Sequence, residues 1–325
     1  AQNNGNPQVV SQGTFIGKTI PLRDMPTIYE LGDFDVEDAK VINEFKKFGN
    51  EPVNENALPQ NGDPVRQSEQ GTRDALNVLQ NFDGAGLSEG QAIPPDPTGA
   101  VGPNHYVHAV NVVVKLFDKT GGLLAGPTFL GTFLGNGANN GDPIVMYDHL
   151  ADRFFVSQFQ TSNNALVIGI SETPDPTGSY NVYSFPLDAF PDYPHYAVWH
   201  DGYYLTANKF FGNTIYALDR VAMLAGAPSP TIIGFNLPQV VDNPNGVFSP
   251  EPANLIGNAF DPASPAYIVY LQDDAWNGVS FDHLKVWEID VNFALPLTSS
   301  ISNPLEIPTQ PFDSFLRPFG SGDID

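Results

Sequence analysis

Three carboxylates stand immediately before a proline at the head of a largely apolar stretch: Asp96, Asp142 and Glu251. Two carboxyl groups held roughly 5–10 Å apart across a glycosidic bond can hydrolyse it, one as acid and the other as base or nucleophile. A polysaccharide-active enzyme, hydrolase or lyase, is therefore the chemistry to weigh. The plainer reading is that Asp-Pro and Glu-Pro pairs open strands, because proline fixes φ and ends the preceding backbone pairing. That reading outweighs the enzymatic one, and the Ser-x-Asp-x-Gly-x-Thr-Trp repeat of sialidases is missing. A second chemistry is calcium coordination. The segments "GNGANNGD" (135–142), "DNPNG" (242–246) and "QDDAWNGVSFD" (272–282) are dense in oxygen ligands, with glycines that permit tight curvature. Asp273, Asp274 and Asp282 are the expected ligands, with Asp142 as a further candidate. None of these loops has EF-hand spacing, and ordinary Asx turns produce the same composition without an ion. Trp276 in the last loop offers a stacking surface for a sugar ring, or a packing residue at a sheet edge.

Histidine chemistry fares worse. In "YPHYAVWHDGYYLTANKF" (193–210), His195 and His200 are an odd number of positions apart, as are His105 and His108 in "NHYVHAV". An odd separation on an extended strand sends side chains to opposite faces, so neither pair makes a two-histidine metal site. The chain contains no serine-nucleophile motif, Walker loop or dinucleotide fingerprint.

The elements that carry these residues are strands. Along 196–199 both faces are apolar, Tyr196 and Val198 on one side and Ala197 and Trp199 on the other, so the strand is expected to be covered on both sides. His200-Asp201-Gly202 reads as a hairpin turn. The residue–proline starts recur at Pro97, Pro143, Pro194 and Pro252, at intervals of 46, 51 and 58 residues. Units of that length holding about four strands are the mark of β-propeller blades. The expected fold is all-β, a propeller with four-stranded blades. Four blades and the start of a fifth near 305–316 are visible. That does not close a ring, so sequence beyond 325, the N-terminal arm or a partner is expected to complete it.

Residues 1–92 have another texture, rich in Asn, Gln, Asp and Glu. They are read as an arm or strap with one short helix near 36–48, where Val36, Ala39, Ile42 and Phe45 keep helical spacing. Short strands are expected in "GTFIGKTIPL" and "LNVLQNFDG". Residues 93–325 form the propeller part. With 30 Gly, 30 Pro and only 16 % charged residues, the whole composition favours short strands and turns.

Acidic residues number 37 against 14 basic ones, giving a net charge of −23. Such a surface repels nucleic acid and anionic lipid, so neither is an expected partner. No apolar run approaches a membrane span, so no membrane insertion is expected. The absence of cysteine removes disulfides, thiolate metal sites and cysteine nucleophiles. The opening Ala1-Gln2-Asn3-Asn4 looks like a chain from which a signal peptide has been cut, as expected of a bacterial exported protein.

The strings "PPDPTGAVGPNHYVHAVN", "DPIVMYDHLADRFFVSQF" and "YPHYAVWHDGYYLTANKFFGNTIYALDRVAMLAGAP" resemble a group of exported bacterial proteins of Bacteroidota type. The resemblance spans about residues 75–290. It implies a propeller-like region in a secreted or cell-surface protein, often accompanied by adhesion modules and a C-terminal secretion-sorting domain. It brings no established catalytic residues. The function expected is a non-catalytic binding or structural module of an adhesin or larger assembly, with a protein or glycan at the cell surface as partner and self-association possible through the arm. The alternative is the polysaccharide-active enzyme using Asp96, Asp142 and Glu251.

Overall fold

The structure is a computed structural model that describes residues 5–31, 54, 56–60, 64–65, 69, 78–209, 214–241 and 250–314. The helix expected at 36–48 and the loop 242–246 lie outside these residues. Among the described residues no helix is long and apolar enough to cross a membrane.

The fold is all-β and built of antiparallel sheets. Two strands near the N-terminus, β1 (Val9–Gln12) and β2 (Thr14–Lys18), precede four sheets laid down in chain order. The first holds β3 (Thr98–Val101), β4 (His105–Val110), β5 (Val113–Asp118) and β6 (Leu123–Phe129). The second holds β7 (Ile144–Asp148), β8 (Arg153–Gln160), β9 (Ala165–Ser171) and β10 (Tyr180–Pro186). The third holds β11 (Asp192–Val198), β12 (Tyr203–Asn208), β13 (Thr214–Leu218) and β14 (Thr231–Asn236). The fourth holds β15 (Glu251–Pro252), β16 (Ala266–Gln272), β17 (His283–Asp290), β18 (Ser300–Ile301) and β19 (Leu305–Pro308).

Each sheet is a meander of consecutive strands, and the strand period of two explains how one sheet packs against two neighbours. In the second sheet, Val156, Val167, Tyr180 and Val182 join a core shared with the first. Their alternates Phe155, Ile168, Ile170 and Tyr183 join a core shared with the third. The third sheet repeats the arrangement. Tyr203, Leu205 and Tyr216 face the second sheet, while Tyr204, Ile215 and Ile233 face Ile268, Trp287 and Ile289 of the fourth. The apolar-on-both-faces pattern of 196–199 is thus that of a sheet sandwiched between two others.

The N-terminal segment runs along the outer edges. Strand β2 pairs with β10 and β1 with β14, so each adds a fifth strand to a different sheet, and Gly5 bridges to Ile301 of the fourth. Gly13 sits at the crossing between the two sheets, where a Cβ would lie 2.3 Å from the Phe185 ring. Only glycine fits there. Leu22, Met25 and Ile28 then enter the core between the first and second sheets.

The strand expected in "LNVLQNFDG" is not formed at 78–84. That stretch lies instead against the far face of the first sheet. Phe82 contacts Tyr106 and Phe117 at ring-centroid separations of 6.2 and 5.2 Å, and Glu89 meets Lys115 Nζ at 3.0 Å. The expected start of a fifth unit near 305 also differs. Leu305–Pro308 pairs with β17 and is an outer strand of the fourth sheet, because its apolar alternates Leu305 and Ile307 match Val286 and Leu284 across the ladder.

Candidate functional site

The residue–proline corners converge. Asp96, Asp142, Tyr193 and His195 all line one cavity of about 410 Å³, at the ends of β3, β7 and β11. Asp96, Asp142 and Tyr193 each precede a proline, and each has positive φ (38°, 48° and 50°). The following proline disfavours right-handed helical geometry, and Asp tolerates positive φ better than most residues. For a tyrosine such a φ is uncommon and carries strain, which tends to gather at functional positions.

Asn111, at the end of β4, fixes the first two corners. Its Nδ2 donates to Asp96 Oδ2 at 2.6 Å, and its Oδ1 accepts the Asp142 backbone N–H at 2.7 Å. Burial, reinforced by the neighbouring charges of Asp96 and Asp192, pushes the Asp142 pKa up from 3.8 to about 7, because ionising it would add a like charge beside theirs. Asp192 is likewise raised, by burial first and then by the charge of Asp96.

Glu251 reaches the same region from the fourth sheet and meets His195 Nδ1 at 3.0 Å. A register shift between Asp192 and His195 sets both on one face, with Asp192 opposite Asn208 and His195 opposite Thr206. Of the acids expected from the sequence, Asp96 and Asp142 line the cavity, whereas Glu251 lies outside its lining and reaches it through His195. Asp192, Tyr193 and Asn111 were not among the expected site residues. The signal available for the first two was the corner itself, since Asp192-Tyr193-Pro194 repeats the acid-before-proline pattern with one residue inserted.

The histidines separate as expected. His200 stacks on Phe260 (5.4 Å, 3°) and its Nε2 lies 2.9 Å from the Ser264 carbonyl, away from His195. His105 lies near Asp175, while His108 Nδ1 accepts the Ala85 N–H.

Asp273, Asp274 and Asp282 form a second cluster, one oxygen of each lying within 4.8 Å of the others. Asp142 belongs to the cavity and not to this cluster. All three carboxylates also accept backbone N–H groups. Asp273 takes those of Ala275 and Ser314, Asp282 those of Asp274 and Phe312, and Asp274 that of Leu58. Burial, opposed by the Leu58 bond and reinforced by Asp282 and Asp273, raises the Asp274 pKa. Trp276 is not a stacking surface. It is buried against Tyr270 in the core between the third and fourth sheets. In the 135–142 loop the oxygen ligands serve the fold: Asn139 Oδ1 accepts the Gly131 N–H, Asn140 Oδ1 that of Thr161, and Asn136 Oδ1 the Gln158 amide.

No protein-family model matches the chain, and no curated protein matches it.

Proposed function

We propose that this chain is the greater part of a β-propeller that serves as an exported, non-catalytic binding module at the cell surface, with its ligand site where the corners meet. Four sequential meanders, each packed face to face on the one before, support the propeller reading. Ring completion by further sheet structure is supported by the outer face of the fourth sheet. There Val269, Val286 and Leu305 form one row and Leu271, Leu284 and Ile307 another, all partly or fully exposed. Export is supported by the resemblance of the corner-bearing strings to exported surface proteins.

The observation that carries binding over hydrolysis is that the acids are engaged within the chain: Asp96 Oδ2 accepts from Asn111 Nδ2 at 2.6 Å, and Glu251 meets His195 Nδ1 at 3.0 Å. A hydrolase needs two carboxyls free on either side of the scissile bond. What favours the polysaccharide-active alternative is Asp142 itself, whose pKa near 7 suits a general acid. The test is incubation of the full chain with a panel of polysaccharides, scored for new reducing ends and unsaturated products. Binding without cleavage is expected. Cleavage that Asp142→Asn abolishes overturns the module reading.

Calcium at Asp273, Asp274 and Asp282 belongs to the same proposal, supported by three buried acids converging without a lysine or arginine contact among the described residues. Calcium is expected to raise Tm over chelator-treated protein, and Asp282→Asn to abolish the difference. Identical melting with calcium and with chelator sinks it.

A further inference from the structure

We infer that the corner cavity binds a small organic cation, an ammonium group carried on a carbon skeleton, with Asp96 and Asp142 as its counter-ions. The inference rests on the binding-module reading and names the ligand class of that site. Its first support is the charge of the walls. Asp96 and Asp142 line the cavity, Asp192 and Glu251 stand beside it, and no lysine or arginine lines it. Lys209, which follows β12, is committed to Asp188 and Tyr216 at 2.8 and 2.7 Å.

The second support is independent of the acids. His195 lines the cavity, and its Nε2 is buried without a hydrogen-bond partner. Buried polar atoms are nearly always paired, so this one marks a place for something polar.

Size and wall chemistry choose among cations. A cavity of about 410 Å³ has the dimensions of a small-molecule site and is far larger than one ion needs. Among the described residues only Asp273, Asp274 and Asp282 bring three ligand atoms within 4.8 Å of one another; the corner acids form no such group. Tyr193, 56 % exposed, stands at the cavity with its ring edge-on to His195, and an aromatic wall attracts an organic cation. The net charge of −23 steers cations toward the molecule.

An ammonium ion bound here needs Asp142 ionised as its counter-ion, so affinity rises with pH. With Asp142 near 7, the ionised fraction climbs about tenfold from pH 6 to pH 8, and affinity climbs with it. Asp96, Asp192, His195 and Glu251 face the same space, and deprotonation of any of them acts in the same direction.

The experiment is calorimetric titration of the full chain with Nα-acetyl-lysine amide and with Nα-acetyl-norleucine amide, which lacks only the ammonium. The lysine compound is expected to bind about tenfold more tightly at pH 8 than at pH 6, and the norleucine compound not to bind. Asp142→Asn is expected to lose about tenfold in affinity and flatten the pH dependence, and Tyr193→Asn, which removes the aromatic wall, to weaken binding with the pH dependence retained. Asparagine tolerates the positive φ at 142 and at 193, and Tyr193→Asn serves should the first variant not fold. Equal binding of the two compounds, pH-independent binding, or no binding of the lysine compound by folded wild type overturns the inference. Cleavage of a polysaccharide with amine binding intact sinks the module reading alone, whereas loss of amine binding without any cleavage sinks only this inference.

Discussion

Asp142 concentrates the consequences of the corner geometry in one side chain. Its folded pKa lies above the unfolded value, so between about 4 and 7 the folded chain holds a proton that the unfolded chain releases. The associated stability is fully present below the unfolded pKa and is lost as pH rises through the folded one. Asp192, raised for the same reason, adds to the same slope. Asp142→Asn removes the ionisation while keeping a residue that accepts positive φ. The variant is expected to be more stable than wild type at pH 8 and to show a shallower fall in Tm from pH 4 to pH 8. Thermal melts across that range check it, and parallel curves for the two proteins would mean that Asp142 ionises as freely folded as unfolded.

At the scale of elements, what joins neighbouring sheets is mostly apolar, and among the polar links between the second and third sheets is a buried ion pair. Asp148 ends β7 in the second sheet, and its carboxylate is fully buried. Arg220, which opens the short helix 220–224 after β13, donates to both of its oxygens at 2.6 and 2.9 Å. Tyr203 at the head of β12 adds a third bond at 2.8 Å. Removing one partner of a buried pair strands the other charge, so Asp148→Asn is expected to cost about 3–5 kcal/mol. Tyr203→Phe leaves the ion pair whole and is expected to cost about 1–2 kcal/mol. Urea denaturation separates the two, and equal losses would mean that the pair is no more than a hydrogen bond. The strands β1 and β2 act at the same scale by closing two sheet edges that would otherwise present unpaired backbone groups.

For the whole molecule the two ends of the sheet series differ. The first sheet's far face is covered by residues 82–90, whereas the fourth sheet's far face carries two apolar rows open to solvent. Leu305 is 64 % exposed there. Because it packs little within this chain, Leu305→Lys is expected to change stability by no more than about 0.5 kcal/mol. The same substitution is expected to reduce self-association at high concentration, since exposed apolar rows promote it. Light scattering and urea melts on the same samples test both statements. A loss of several kcal/mol on substitution would show that the face is already packed, and the open-ring reading would fall.

Much of this was legible in the sequence because a strand's two-residue period writes its burial into the chain. The apolar residues on both faces along 196–199 announced a sheet covered on both sides, and the recurring residue–proline pairs marked the corners. Composition excluded cysteine chemistry. Spacing kept the histidines apart, since an odd separation along a strand is a statement about faces. Other features had no local signature. Asp148 and Arg220 are 72 positions apart, and nothing near either names the other. The insertion at Tyr193–Pro194 that sets Asp192 and His195 on one face is a property of the ladder and not of composition. Trp276 is buried because its loop folds inward, although its polar neighbours suggested a surface position. Leu305–Pro308 belongs to the fourth sheet because β17 offered matching apolar alternates. The sequence alone determined the main strands, the corner positions and the acidity of the chain, because these follow from side chains and their nearest neighbours along the backbone. Only the tertiary structure decided which corners line one cavity and which buried atoms lack a partner, because both depend on distances between segments that the chain brings together only on folding.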